Sequence, residues 1–165
     1  MPISERPARI PPMQLAADLR MPAGPRGVVI FAHGSGSSRF SPRNQSVAIA
    51  LGDAGYATLL LDLLTEREAD DRANVFDIDL LGDRLVDAID WACAQSELAG
   101  VPIGLFGAST GAAAALRAAA ARPGVVRTVI SRGGRPDLAA DVLGRIGLFE
   151  LLTEPVVRLA EYWRQ

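Results

Sequence analysis

The chain has 165 residues, enough for one domain with a sizeable core, and 49% of them are apolar with 5% aromatic. A formal charge of −2 without a basic cluster argues against a nucleic-acid or anionic-membrane partner. All 17 basic residues are arginine, which excludes a lysine base, and a single cysteine excludes an internal disulfide and favours a reducing compartment.

The opening segment Met1-Pro2-Ile3-Ser4-Glu5-Arg6-Pro7 lacks the apolar core of a signal peptide, and no apolar run reaches bilayer length. A soluble, cytoplasmic protein is the expectation. Residues 8–20 alternate loosely around Pro11-Pro12, which suits an edge strand or ribbon. After the turn at 22–27, Val28-Val29-Ile30-Phe31-Ala32 is a continuous apolar run, as a strand buried on both faces requires. It leads into the loop His33-Gly34-Ser35-Gly36-Ser37-Ser38. Ser41 as N-cap and Pro42 at the first helical position predict a helix to Ala54, stopped by Gly55.

A second buried strand is predicted from Tyr56 to Leu61, with Asp62 at its carboxyl end, and then a polar loop or frayed turn from Thr65 to Asn74. Ile78, Leu81, Leu85, Ile89 and Ala92 recur at helical spacing, predicting an amphipathic helix from Asp77 to about Glu97. Val101 onward is a third strand. Gly107-Ala108-Ser109-Thr110-Gly111 then opens an alanine-rich helix, and Pro123-Gly124 breaks it. Val125 to Ser131 is a fourth strand, Pro136 to Arg145 a helix, and Pro155 to Trp163 a closing helix capped by Thr153. Alternating strand and helix predict one α/β domain over 1–165, a doubly wound, mostly parallel sheet with its function at the carboxyl ends of the strands. His33, Asp62, Ser109 and Arg132 fall at those ends.

Gly107-Ala108-Ser109-Thr110-Gly111 is a G-x-S-x-G sequence with a strand before it and a helix after it. Ser109 is therefore a candidate nucleophile on a sharp turn; the alternative is a serine that merely caps the helix. No metal-ligand cluster or cofactor motif stands out, so neither is expected. The loop after the first buried strand partly imitates a dinucleotide-binding fingerprint, with Asp62 ending the next strand. Arg39 occupies the third glycine position, however, and the serine elbow would be left unexplained.

Taken together, the His33–Arg39 loop, the Ser109 elbow and Ser131-Arg132-Gly133-Gly134-Arg135-Pro136-Asp137 resemble the α/β-hydrolase fold, and more narrowly its dienelactone-hydrolase-like branch. The resemblance covers most of residues 8–145. It implies a serine hydrolase acting on carboxylic esters or lactones, with a small ester-like molecule as its partner. Ser109 would be the nucleophile, and the backbone N–H groups of Thr110 and Ser35 the oxyanion hole. The named dienelactone hydrolases carry cysteine at the nucleophile position.

In the hydrolase pattern an acid and then a histidine follow the nucleophile, but the only histidine here, His33, precedes Ser109. The resemblance suggests an internal deletion near Ile146–Leu148 that removed two strands with the acid and the base. A catalytically weak or inactive, small-molecule-binding protein on the same fold is thus the competing reading. Such a loss would also bare the apolar edge 125–130, predicting either a homodimer through it or coverage by the segment around Leu148 to Trp163. Arg39, Arg132 and Arg135 are candidates for binding an anionic substrate group, Asp137 and Asp141 for approaching the site, and Glu66 and Glu68 for its rim. Cys93 reads as a small packing residue, and Phe31, Phe106 and Trp91 as core.

Overall fold

The computed structural model describes residues 3–144 together with residues 151 and 152. A single sheet runs in the order β1-β2-β4-β3-β5-β6-β7. Strands β1 (Ile3–Ile10) and β2 (Leu15–Pro22) form an antiparallel ribbon around Pro11-Pro12, and β2 pairs antiparallel with β4 (Ala57–Leu61). From there the sheet is parallel: β4 beside β3 (Val28–Ala32), then β5 (Ile103–Ala108), β6 (Val126–Arg132) and β7 (Leu151–Leu152). Every residue of β3, β4 and β5 is buried, which is why these three read as near-continuous apolar runs, broken in β4 by the buried Thr58 alone.

Helices cover both faces. On one side α1 (Pro42–Asp53) packs Val47, Ala48 and Leu51 over Phe31, Leu60, Phe106 and Ile130, with the Phe31 and Phe106 rings 5.0 Å apart. On the other, α4 (Ile78–Cys93) and α5 (Thr110–Ala121) bury Leu85, Ile89 and the alanines of α5 against Ile30, Leu59, Leu105 and Val129. The predicted Ser41 cap is present, its side chain accepting from Asn44 N–H, and α4 is capped by Asp77, which accepts from Leu80 N–H. Gly55 after α1 has φ +88°, a left-handed conformation that favours glycine.

Several expectations are corrected. Thr65 to Asn74 is not a loop but two short helices, α2 (Glu66–Ala69) and α3 (Arg72–Phe76), started by the Thr65 and Asp71 side chains. The helix begun at Asp77 ends at Cys93, and a 3-10 turn, Ser96–Leu98, follows it. Residues 136–143 divide into a 3-10 turn, Pro136–Ala139, and α6 (Ala140–Leu143). Cys93 is exposed rather than packed, and Trp91 is only partly buried. At the edge 125–130 the expected coverage from the segment beginning near Leu148 is met rather than corrected: β7 lies parallel on it, pairing Leu151 with Val129 and Leu152 with Ile130. An edge strand's free backbone groups make it a template for such pairing. The proposed deletion point, the closing helix at 155–163 and its Thr153 cap lie outside the described residues.

Candidate active site

The site sits where β3, β4, β5 and β6 end. The last residues of β5 are buried, as is Thr110, while Ser109 between Ala108 and Thr110 is exposed. Its backbone has φ 52° and ψ −122°, outside the regions that residues with a side chain favour, and its side chain makes no capping hydrogen bond to α5. The helix-cap alternative is therefore not what this serine does. Two glycines make the turn possible. A methyl at Gly107 would lie under 3.0 Å from the backbone of Gly111 and Ala112, and one at Gly111 equally close to the carbonyl oxygens of Ala32 and His33. The start of α5 is thereby seated directly on the exit of β3.

The loop after β3 is fastened at two points. Leu63 N–H donates to His33 Nε2 at 3.2 Å, and the other ring nitrogen, Nδ1, lies 3.0 Å from Gly34 O. An amide N–H can only donate, so Nε2 is unprotonated and Nδ1 carries the proton. Both nitrogens of His33 are thus engaged with backbone. Farther along the loop, Ser35 N–H donates to Thr110 Oγ1 at 3.1 Å. A methyl at Gly34 would lie 3.1 Å from Ser109 Cβ, so loop and elbow are in contact. The structure thus brings Ser35, Ser109 and Thr110 together, but the Ser35 N–H, expected as an oxyanion donor, is given to Thr110 Oγ1. As the first residue of α5, Thr110 has a backbone N–H without an intrahelical acceptor, at the positive end of the helix.

The ionisable candidates are mostly committed elsewhere. Asp62 accepts from Arg39 N–H at 2.8 Å and from its guanidinium, which also reaches Asp18 at 3.2 Å. Asp62 therefore positions the loop, and Arg39 is neutralised. Arg135 is paired with Asp137 on the exposed turn after β6, and Asp141 with Arg117. Arg132 stands in register with Ala108 at the end of β6, and its buried Nε has no hydrogen-bond partner among the described residues. No described side chain is hydrogen-bonded to Ser109 Oγ.

One cleft of about 260 Å³ opens beside the elbow. Its apolar surface comes from Leu63, Leu64, Ala69, Val75 and Leu81, and its polar edge from residues 33–38, Asp62, Glu66 and Thr110. The wall formed by α2 is anchored by Glu68, a candidate for the rim that stands behind the lining instead. Burial pushes the Glu68 carboxyl up. Hydrogen bonds from the Thr65 backbone and hydroxyl and from Arg84 outweigh that and hold it below the usual glutamate range. The capping box Thr65–Glu68 is the sequence signal that would have revealed this helix.

No family model matches the chain. A dienelactone hydrolase from Anabaena variabilis is 49% identical to it, with a TM-score of 0.81 over 88% of this chain and 69% of that one. A dienelactone hydrolase-like promiscuous phosphotriesterase from metagenomic libraries shares the fold, at 21% identity and a TM-score of 0.68 over 87% of this chain and 65% of its own. A Mycobacterium tuberculosis protein provisionally named a phosphoribosyl transferase is 58% identical over 135 residues, 82% of this chain. The chain spans 30% of the length of that relative.

Proposed function

This chain belongs to the dienelactone-hydrolase-like branch of the α/β-hydrolases, and on that premise we propose that it acts as a serine esterase whose nucleophile is Ser109. The observation that carries the reading is the exposed Ser109 in a strained backbone, uncoupled from helix capping and followed by the Thr110 amide at the start of α5.

The step is acyl transfer. Ser109 Oγ forms a bond to the ester carbonyl carbon, and the carbonyl π pair moves onto oxygen. Thr110 N–H then holds that oxyanion, and Ser35 N–H can join it only by leaving Thr110 Oγ1; each donor in such a hole is worth roughly two to three orders of magnitude in rate. Collapse restores the carbonyl and expels the alkoxide or phenolate, and the hydroxyl proton leaves to water or to the departing oxygen. Water attacking the acyl-serine returns Ser109 and releases the acid. With His33 held by Leu63 and Gly34, the described residues supply no positioned base for the first proton. Activated esters with good leaving groups are therefore the substrates on which the chemistry is most readily seen.

That same observation favours a second reading, a binding protein that keeps the elbow and the cleft without turnover. The phosphoribosyl transferase name is a poorer guide to this chain. The match covers 30% of that relative, and the cleft is lined by the carboxylates Asp62 and Glu66, with no arginine among its described lining to receive a pyrophosphate. The discriminating experiment is p-nitrophenyl butyrate cleavage by the native chain and by Ser109→Ala. The esterase reading expects the variant to fall at least about ten-fold, towards the residual acceleration of a site without its nucleophile. Equal rates would favour the binding protein.

A further inference from the structure

We infer that the cleft between the 33–38 loop and helices α2 to α4 is an acyl-chain site that selects uncharged, aliphatic esters; the inference rests on the serine-esterase reading. Three observations carry it.

The first is position. Thr110 and Gly34 both line the cleft, and each touches the reacting centre: Thr110 follows Ser109, and the Gly34 backbone lies against the Ser109 side chain. A carbonyl bonded to Ser109 Oγ, with its oxygen on the Thr110 amide, has its acyl substituent at the cleft mouth. Leaving-group departure then proceeds towards solvent, since Ser109 is exposed.

The second is surface chemistry. Beyond the mouth the walls are Leu63, Leu64, Val75, Leu81 and the methyl of Ala69. Their hydrophobic contact rewards each buried methylene and offers nothing to a polar chain.

The third is charge. The ionised groups on the described lining are Asp62 and Glu66, both carboxylates. Arg39 neutralises Asp62, while Glu66 in the first turn of α2 is exposed. His33 is the neutral tautomer. A second carboxylate entering the cleft would lose its water and meet Glu66 without a cation on these walls. Arg132, the one strand-end arginine without a described partner, lies beyond β5 on the other side of Ser109. Capacity follows from volume. At roughly 30 Å³ per water-sized group, a cleft of about 260 Å³ holds eight or nine heavy atoms.

The test holds the leaving group fixed. p-Nitrophenyl acetate, butyrate, hexanoate, octanoate and decanoate are compared with p-nitrophenyl hemisuccinate, reading Ser109-dependent nitrophenol release as kcat/KM or, without turnover, as the burst rate constant. The expected pattern is a rise of up to about four-fold per added methylene, levelling near octanoate. The hemisuccinate should run at least ten-fold below butyrate, which has the same chain length. Glu66→Arg should narrow that gap. Ala69→Trp, a replacement at an exposed lining position, should abolish the rise with chain length; its unchanged thermal transition would exclude misfolding.

A flat neutral series, a hemisuccinate equal to butyrate, or a gradient that survives in folded Ala69→Trp would overturn the acyl site alone. A preference for the hemisuccinate would do so too, and would turn attention to Arg132. Nitrophenol release equal in Ser109→Ala and the native chain would instead overturn the esterase reading, and the acyl site with it.

Discussion

Ser35 and Thr110, 75 positions apart in sequence, are joined by a hydrogen bond from the Ser35 N–H to Thr110 Oγ1 at 3.1 Å. The bond commits the Ser35 N–H to the Thr110 hydroxyl, so of the two expected oxyanion donors the Thr110 N–H is the one left to a substrate, while the hydroxyl fastens the loop to the elbow. Thr110→Val keeps the shape and removes the acceptor, and should cost about 0.5–1.5 kcal/mol of stability. Thr110→Ser keeps the acceptor and should cost less. Urea denaturation separates the two variants.

His33 is held as a structural histidine, and this distinguishes it from a base. His33→Ala should destabilise the fold by about 1–3 kcal/mol in urea denaturation, because Leu63 N–H loses its acceptor. The rate of Ser109 acylation should fall modestly, while its dependence on pH keeps the native shape. A change of that profile would assign His33 to proton transfer.

Much of this architecture is legible in the amino-acid sequence. Val28–Ala32, Ala57–Leu61 and Ile103–Ala108 are buried throughout, so their near-continuous apolar runs carry the sheet's centre openly. The Ser41-Pro42 start and the Gly107–Gly111 elbow are local signals, complete within a few residues. By contrast β1 exposes most of its side chains, so Ile3–Ile10 offers no apolar pattern to read. Helices α2 and α3 bury no residue fully, and only the Thr65–Glu68 box betrays the first of them. The role of His33, the neutralisation of Arg39 by Asp62 and Asp18, and the Ser35–Thr110 link depend on partners far along the chain. No local pattern encodes them.

Glu68 gives a pH-dependent prediction. Its carboxyl is held below its ordinary value, so the folded state favours the ionised form. The stability it contributes is present above the carboxylate range of the unfolded chain and is lost as pH falls through the lowered value. Glu68→Gln should therefore be less stable than the native protein near pH 7, by about 1 kcal/mol for the weakened cap and ion pair. The difference should shrink on acidification. Urea midpoints measured from pH 7 down through the acid range report both.

The strain at Ser109 has a cost that glycine would remove. At φ 52° and ψ −122° a side chain is disfavoured by about 1–3 kcal/mol. Ser109→Gly should therefore melt above both Ser109→Ala and the native protein in differential scanning calorimetry, while losing ester cleavage.

The central claim, that Ser109 is a reactive nucleophile rather than a residue of the turn, is tested most directly by intact-mass analysis after incubation with an alkyl fluorophosphonate. The account predicts a single phosphonyl adduct on the folded native chain, mapped to Ser109 and missing from Ser109→Ala. A folded native protein that stays unmodified, or an adduct that persists in Ser109→Ala, would contradict it.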